Sequence, residues 1–283
     1  MKGKKVIIDE ELLNNLLFKS LPQEYEVLSY ESNLNEDEEQ YLSIILTLLY
    51  EIIESTRRWV LSFKNINNID DLDIFFFEEM EDKINELFKE HFESVIILLG
   101  MFYDTGKNIA INELNVTPVP YVNESLVLSI IKHHNYQQLN NMLKDVSKNL
   151  RDIVWNGIKD KLDIDKIAEN LLKNGLQPTG KFTPQQRARM IAVTERSRAY
   201  NSAKLQTYHN YGVKLVDIIT AHDSKVCSVC WGNESNNPYT IEEAQNIIPT
   251  HPYCRCEYYP HFDDERYIDE LIPDDFIVDL TNY

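Results

Sequence analysis

Five residues with soft, metal-binding side chains lie close together near the C-terminal end of the chain. They comprise every cysteine of the 283 residues and one histidine: Cys227, Cys230, His251, Cys254 and Cys256. Two thiols separated by two residues, followed at a distance by a second set of donors, are typical of one tetrahedral ion such as zinc. The spacing therefore predicts a zinc site rather than scattered core cysteines.

Five donors compete for the four positions of such a site. Cys254 and Cys256 lie on one face of an extended segment, so four cysteines could bind the ion with His251 beside them. If Cys254 faces the core instead, His251 takes its place. Neither set leaves an open coordination position, so we expect a structural site and no catalytic residue. Two disulfides or free thiols are the remaining alternative.

The composition indicates a protein that folds in a reducing cytosol. Apolar residues make up 43% of the chain, which is ordinary for a soluble protein. No secretory signal is evident, and apolar runs such as 42–50 and 95–103 are too short to span a bilayer. We therefore expect no membrane partner. In the cytosol, clustered thiols more often bind metal than form disulfides.

The net charge of -18 is unevenly distributed. Residues 1–150 contain 26 acidic and 13 basic residues, residues 151–220 contain 7 and 12, and residues 221–283 contain 13 and 3. Duplex DNA is bound largely by neutralising phosphates with Lys and Arg. The acidic balance predicts a poor general binder of nucleic acid, and any DNA contact should be local.

Helices are expected over the first two-thirds of the chain. Apolar periodicity predicts one helix from a cap at Asn35 to Trp59 and a second from about residue 70 or 71 to Leu99. The two should pack as an antiparallel hairpin through residues 64–69.

A shorter helix is expected from a cap at Asp104 to about Leu114. Thr117–Pro120 contains two prolines and is the best linker candidate in this half. Beyond it, further helices are expected at about 124–157 and 164–173, with Gly175 at the end of the latter.

The best-defined helix is predicted at about 184–210. Thr183 and Gln186 have capping-box spacing, Pro184 occupies the first helical position and Gly212 follows the end. Its basic residues favour pairing with acidic helices of the same protein. The alternative is a surface for DNA or an acidic partner, formed by Lys181, Arg187, Arg189, Arg196, Arg198 and Lys204.

Extended segments follow at 213–221 and 256–260, separated by the cysteine loop and a short helix at about 241–247. The predicted fold is mainly α: a long N-terminal helical hairpin or bundle, then a small α+β module stapled by the Cys/His site. We divide the chain into a helical region, a helical connecting region, the metal module and an acidic tail, at 1–116, 117–182, 183–262 and 263–283.

The tail has eight acidic residues against one arginine, Arg266, with apolar residues between them. It has too many apolar residues to be only a solvating segment. We expect it to pack on the protein or on a partner.

Four motifs in order resemble the phage Mu F-like minor head protein family, also described as phage head morphogenesis proteins. The resemblance covers about residues 150–262, and its motifs are Thr194–Asn201 (TERSRAYN), Tyr211–Val213 (YGV), Asp223–Cys230 (DSKVCSVC) and Pro249–Cys256 (PTHPYCRC).

The resemblance implies a minor capsid protein of a tailed phage or prophage and no enzymatic activity. Its expected partners are the portal protein and procapsid components, with packaged DNA as a further candidate. It would be made in the host cytoplasm and incorporated into the virion, in the head interior or near the portal. The alternatives are a zinc-stapled DNA-binding protein of packaging or ejection and, less favoured, a toxin-like or nuclease-like enzyme.

Overall fold

The computed structural model describes residues 34–63, 74–119, 124–178 and 180–262, with side chains from residue 77 onward in the second range. Its described elements are α1 Glu36–Ser62, α2 Ile74–Leu114, α3 Glu124–Lys159, α4 Ile164–Asn174, α5 Pro184–Asn210, β1 Leu215–Ile219, α6 Ser228–Ser235, β2 Tyr239–Thr240, α7 Ile241–Ala244 and β3 Glu257–Pro260. The prediction of a mainly helical protein with a small α+β module is confirmed.

α1 begins where the sequence predicts. The Asn35 side chain accepts a hydrogen bond from the Glu38 backbone N–H at 2.9 Å, and the Glu38 carboxylate accepts one from the Asn35 N–H at 3.1 Å. This capping box satisfies two N–H groups that have no partner within the helix. The predicted turn at 64–69 and the predicted helix start at residue 70 or 71 lie outside the described residues.

α2 is a single helix of 41 residues, so the prediction of a separate helix capped at Asp104 is wrong. Leu99, Phe102 and Tyr103 are buried and continue the apolar face past the expected break. Gly106 then lies against the backbone of α5. A Cβ atom at this position would lie only 2.2 Å from the Tyr200 carbonyl oxygen. Packing of the continuous face outweighs the local capping signal.

By length and composition alone, Phe77–Leu114 within α2 could cross a membrane, with a mean hydropathy of 1.2. The core helix of a soluble protein can have the same length and composition. Of the most apolar 18-residue stretch of this helix, 44% is buried inside the protein. Its buried side chains join those of α1, α3 and α5 in one hydrophobic core. The apolar character of α2 therefore has a packing role within the fold.

α3 and α4 confirm the helices expected at 124–157 and 164–173 to within two residues. Gly175 is the C-cap of α4, as expected, but its φ of -60° is right-handed. A Cβ atom there would lie 2.5 Å from the Leu171 carbonyl oxygen, so glycine is required for space. Of the expected linker, Thr117 and Val119 are held by the Tyr211 hydroxyl at the end of α5.

α5 is the central helix of the fold. Thr183 and Gln186 form the expected capping box, Pro184 is the first helical residue, and Gly212 follows the end with φ +78°. α5 packs on α1, α2 and α3 and also on β3. Its first part contributes to the main helical core and its end to a second core beneath the sheet.

The sheet has the order β2-β1-β3, and both pairs are antiparallel. Val216 and Ile218 of β1 and Tyr258 of β3 are buried in the second core. Three of the four cysteines belong to this core as well. The division into regions proposed from the sequence stays a prediction, and the tail at 263–283 lies outside the described residues.

Candidate metal centre

The first pair of thiols lies at the start of α6. Cys227 is the N-cap of this helix, and its Sγ accepts a hydrogen bond from the Cys230 backbone N–H at 3.4 Å. Residues three apart on a helix lie on the same side. The helix start therefore points both thiols toward the 251–256 loop.

His251 faces this pair. Its Nε2 atom lies 3.2 Å from Cys227 Sγ and 3.1 Å from Cys230 Sγ, and its Nδ1 atom lies 2.7 Å from the Pro252 carbonyl oxygen. Because a carbonyl only accepts hydrogen bonds, Nδ1 carries the proton and the Nε2 lone pair points at the thiols. A histidine held in this way is oriented as a metal ligand.

Cys254 and Cys256 complete the cluster from the other side. Their Sγ atoms and that of Cys230 lie within 4.8 Å of one another, and all three residues are buried. A second group with the same limit consists of Cys227, Cys230 and His251. Cys230 belongs to both groups and is therefore the centre of the five predicted donors.

Burial and neighbouring thiols shift the pKa values of these cysteines strongly. Hydrogen bonding from the Cys256 thiol lowers the pKa of Cys254 to about 5, whereas burial raises the pKa of Cys230 to about 12. The Cys254 thiolate raises the pKa of Cys256 well above its ordinary value. Burial by itself would lower the pKa of His251, but the Pro252 carbonyl and nearby thiolates raise it overall. Crowded, buried thiols of this kind are stabilised when a cation replaces their protons.

The donor set could hold a metal ion, and zinc is the ion expected from the sequence. At Zn–S distances of about 2.3 Å, the sulfur atoms of a tetrahedral site lie roughly 3.8 Å apart, and within each of the two groups the donor atoms lie within 4.8 Å of one another. The four cysteines are free thiols. The five predicted donors form these two groups, which share Cys230, and both ligand sets, four cysteines or three with His251, stay predictions.

The loop that carries the second set of donors is held by α5. Thr194 Oγ1 accepts a hydrogen bond from the Tyr253 N–H at 3.2 Å. Two turns later, the Asn201 side chain donates to the Cys256 carbonyl at 3.2 Å and accepts from the Tyr258 N–H at 3.1 Å. Sequence reasoning noticed both polar residues but missed this role. Their seven-residue separation, which places them on one helix face, is the signal for it.

Asp223 connects the cysteine turn to the loop. Its carboxylate accepts a hydrogen bond from the Lys225 N–H at 2.9 Å and so caps the turn before Cys227. It also accepts two from the Arg255 guanidinium, at 2.6 and 2.8 Å. These Arg255 bonds lower the pKa of Asp223 to about 2.

Asn237 was missed by sequence reasoning. Its side-chain amide exchanges two 2.8 Å hydrogen bonds with the backbone N–H and C=O of Ile218. It thereby extends the sheet beyond β2, which has only two residues. Nothing in the local pattern distinguishes Asn237 from other loop asparagines.

The basic residues of α5 contact groups within the protein. Arg187 contacts Asp145, Arg198 Nε lies 3.3 Å from Glu195, and the Arg196 guanidinium stacks over Tyr200. Arg198 and Glu195 thus form a salt bridge within α5.

Three further members of the proposed surface have different environments. Arg189 interacts electrostatically with Glu38 of α1. Lys181 is exposed, and its Nζ atom lies over the Phe182 ring. Lys204 is fully buried, with its Nζ atom 2.8 Å from Glu113. The inclusion of Lys204 in a binding surface is therefore wrong.

Comparison with known families identifies this part of the chain. Residues 122–259 match the family model described as Phage Mu protein F like protein. This region is therefore similar to that family, the phage family that its motifs also resemble. The match begins about 28 residues before the predicted limit of 150, at the start of α3. Comparisons with curated proteins and with solved structures gave no significant match.

Proposed function

We propose that this chain is a minor capsid protein of a tailed bacteriophage or prophage, acting in procapsid assembly or in DNA packaging and ejection. The observation that carries the proposal is the family match, which extends from α3 through the cysteine cluster to β3. The partners that fit this role are the portal protein and other procapsid components. The protein would then be found in the virion, in the head interior or near the portal, after synthesis in the host cytoplasm.

Zinc would act as a structural staple in this protein. The donors come from the first turn of α6 and from the loop before β3, segments that are separated by about 20 residues of chain. A bound ion would join these segments and satisfy the buried thiolates. The second core is small, and modules of this size often depend on such a staple.

The proposed role is structural rather than enzymatic. The predicted donors face one another across the cluster, and their backbone is held by α5 and Asp223. The proposal also does not depend on a DNA-binding surface, because Arg187, Arg196 and Arg198 contact groups of the same chain.

Co-purification and metal analysis test the proposal together. We expect the full chain to co-purify with the portal or procapsid and to contain about one zinc ion per molecule, as one tetrahedral site requires. A chain that binds neither portal nor procapsid and contains no zinc would contradict it.

Substitutions resolve the ligand set. Cys230→Ser should abolish zinc binding, because Cys230 belongs to both donor groups. His251→Ala should weaken binding if His251 is a ligand, and Cys254→Ser should do so if four cysteines bind. Ser228→Ala, at an exposed position of the same helix turn, is the matched control. Absorbance of the cobalt-substituted protein reports the number of thiolate ligands.

A further inference from the structure

The four cysteines differ in how far solvent reaches them. Cys230, Cys254 and Cys256 are 3%, 1% and 3% exposed, whereas Cys227 is partly exposed. Residues 223–225 before Cys227 and residues 228 and 229 after it are exposed as well. A small dissolved reagent therefore reaches the Cys227 sulfur before it reaches the other three.

Cys230 is placed to react with a product formed on Cys227. The Cys230 N–H donates a hydrogen bond to Cys227 Sγ at 3.4 Å, across the first turn of α6. The two Sγ atoms lie within 4.8 Å of one another, in a group that contains no other thiol. An accessible thiol beside a buried one is typical of oxidation-sensitive pairs, in which the second thiol resolves the product formed on the first.

The backbone spacing of this pair is compatible with a disulfide. Residues three positions apart in a helical turn have Cα atoms about 5 Å from one another. Disulfides join residues whose Cα atoms lie about 4.4–6.8 Å apart. Bond formation between Cys227 and Cys230 therefore requires rotation of two short side chains and no rearrangement of α6.

A disulfide between these two residues would remove the donor that the two groups share. Cys230 belongs both to the group with Cys227 and His251 and to the group with Cys254 and Cys256. The thiolate is the form of cysteine that binds metal, so neither group stays complete once Cys230 is oxidised. Three of the five candidate donors then remain, one fewer than a structural tetrahedral site uses.

We propose that the Cys227–Cys230 pair is a peroxide-sensitive switch that releases the metal ion from the cluster. This inference rests on the proposed zinc site and adds its regulation. In the zinc-bound form both sulfurs are thiolates, and oxidation to a disulfide withdraws both from the ion. The link between α6 and the loop before β3 is then lost. The hydrogen bonds from Thr194 and Asn201 to that loop do not involve sulfur and stay in place.

The chemistry needs one molecule of hydrogen peroxide for each disulfide. The Cys227 sulfur attacks one peroxide oxygen, the O–O bond breaks, and a sulfenic acid forms on Cys227 while the other oxygen leaves as hydroxide. The Cys230 sulfur then bonds to the Cys227 sulfur and displaces a second hydroxide. The two sulfurs together lose two electrons to the peroxide, and two protons from solvent convert the hydroxides to water.

Peroxide treatment of the zinc-loaded full chain tests the proposal. A chromogenic chelator should detect one zinc ion released for each disulfide formed. After alkylation of the remaining free thiols, mass spectrometry of peptides should find Cys227 joined to Cys230, with Cys254 and Cys256 alkylated. Reduction with dithiothreitol and addition of zinc should restore the metal-bound form.

Two serine variants identify the reacting thiols. In the metal-free chain, Cys227→Ser should slow the loss of the Cys230 thiol to peroxide by about tenfold or more, because the accessible partner is absent. Cys254→Ser is the matched control, since it also removes one thiol of the cluster, and it should form the Cys227–Cys230 disulfide as the wild type does. Circular dichroism before treatment verifies that each variant is folded. If one is not, the peptide map of the wild type decides.

The contrary results separate this inference from the proposed zinc site. Zinc that stays bound after peroxide treatment, or a disulfide between any other two cysteines, would overturn the inference and leave the zinc site standing. Loss of the Cys230 thiol at the wild-type rate in Cys227→Ser would also overturn it. A chain that contains no zinc before treatment would contradict the zinc site, and the inference would fall with it.

Discussion

The side-chain amide of Asn201 donates a hydrogen bond to the carbonyl oxygen of Cys256, at 3.2 Å. The same amide accepts a hydrogen bond from the Tyr258 N–H, so Asn201 occupies the outer edge of β3 as a neighbouring strand would. A buried position on the central helix therefore fixes the backbone that carries one of the predicted zinc ligands.

Asn201→Ala should destabilise the protein and weaken zinc binding. It leaves a buried carbonyl and N–H without these hydrogen bonds, at a cost of about 1–3 kcal/mol for each unsatisfied group. Urea unfolding measures the stability, and competition with a chelator measures the zinc affinity. Asn210→Ala, at an exposed position near the end of the same helix, is the control. Unchanged stability of Asn201→Ala would show that the sheet edge does not depend on this amide.

Two glycines of α2 should respond in opposite directions to alanine. At Gly106 the new methyl group would lie 2.2 Å from the Tyr200 carbonyl oxygen, so α2 and α5 must separate. Overpacking of this kind costs about 1–3 kcal/mol. Gly100→Ala meets open space and should stabilise the isolated chain by about 0.5–1 kcal/mol. Thermal unfolding of dilute protein distinguishes the two, and equal effects would contradict the observed helix contact.

Substitution of Lys204 should lower the free energy of unfolding more than substitution at most other positions. Lys204 is fully buried, with Nζ 2.8 Å from Glu113 and 3.6 Å from Glu257, and it lies over the Tyr259 ring. Lys204→Ala removes the cation between two carboxylates and should cost about 3–5 kcal/mol.

Glu113→Gln provides the test of this pairing. Combined with Lys204→Ala, it should restore part of the lost stability, because it removes one of the two opposed charges. Lys214→Ala, at an exposed position between α5 and β1, should have little effect. Strictly additive changes in the double variant would exclude coupling between Lys204 and Glu113.

The Asp223–Arg255 pair should contribute a pH-dependent term to stability. The pKa of Asp223 is lowered from 3.8 to about 2 in the folded protein. The contribution is therefore fully present above pH 3.8 and is lost as the pH falls through about 2. Arg255→Gln should return the pKa of Asp223 toward 3.8, which NMR titration of the carboxyl carbon would measure. An unchanged pKa would mean that Arg255 is not the cause of the shift.

Local signals in the sequence were sufficient for the starts of α1 and α5 and for selecting the five candidate donors. The capping residues Asn35 and Thr183 define helix starts because their hydrogen bonds involve residues only three positions away. Cys227 and Cys230 are close because they occupy one helix turn. For these features the interacting groups are near in sequence, so spacing alone predicts them.

The tertiary structure decided which contacts those elements make. Asp104 has the character of a helix cap, yet α2 continues through it because the buried face and the contact of Gly106 with α5 stabilise one long helix. Lys204 reads as a surface cation on α5 but is buried between carboxylates contributed by α2 and β3. The sequence by itself determined the starts of α1 and α5, the family motifs and the five candidate donors. Only the assembled fold decided that α5 holds the donor loop, because hydrogen bonds between residues more than 50 positions apart depend on packing rather than on local spacing.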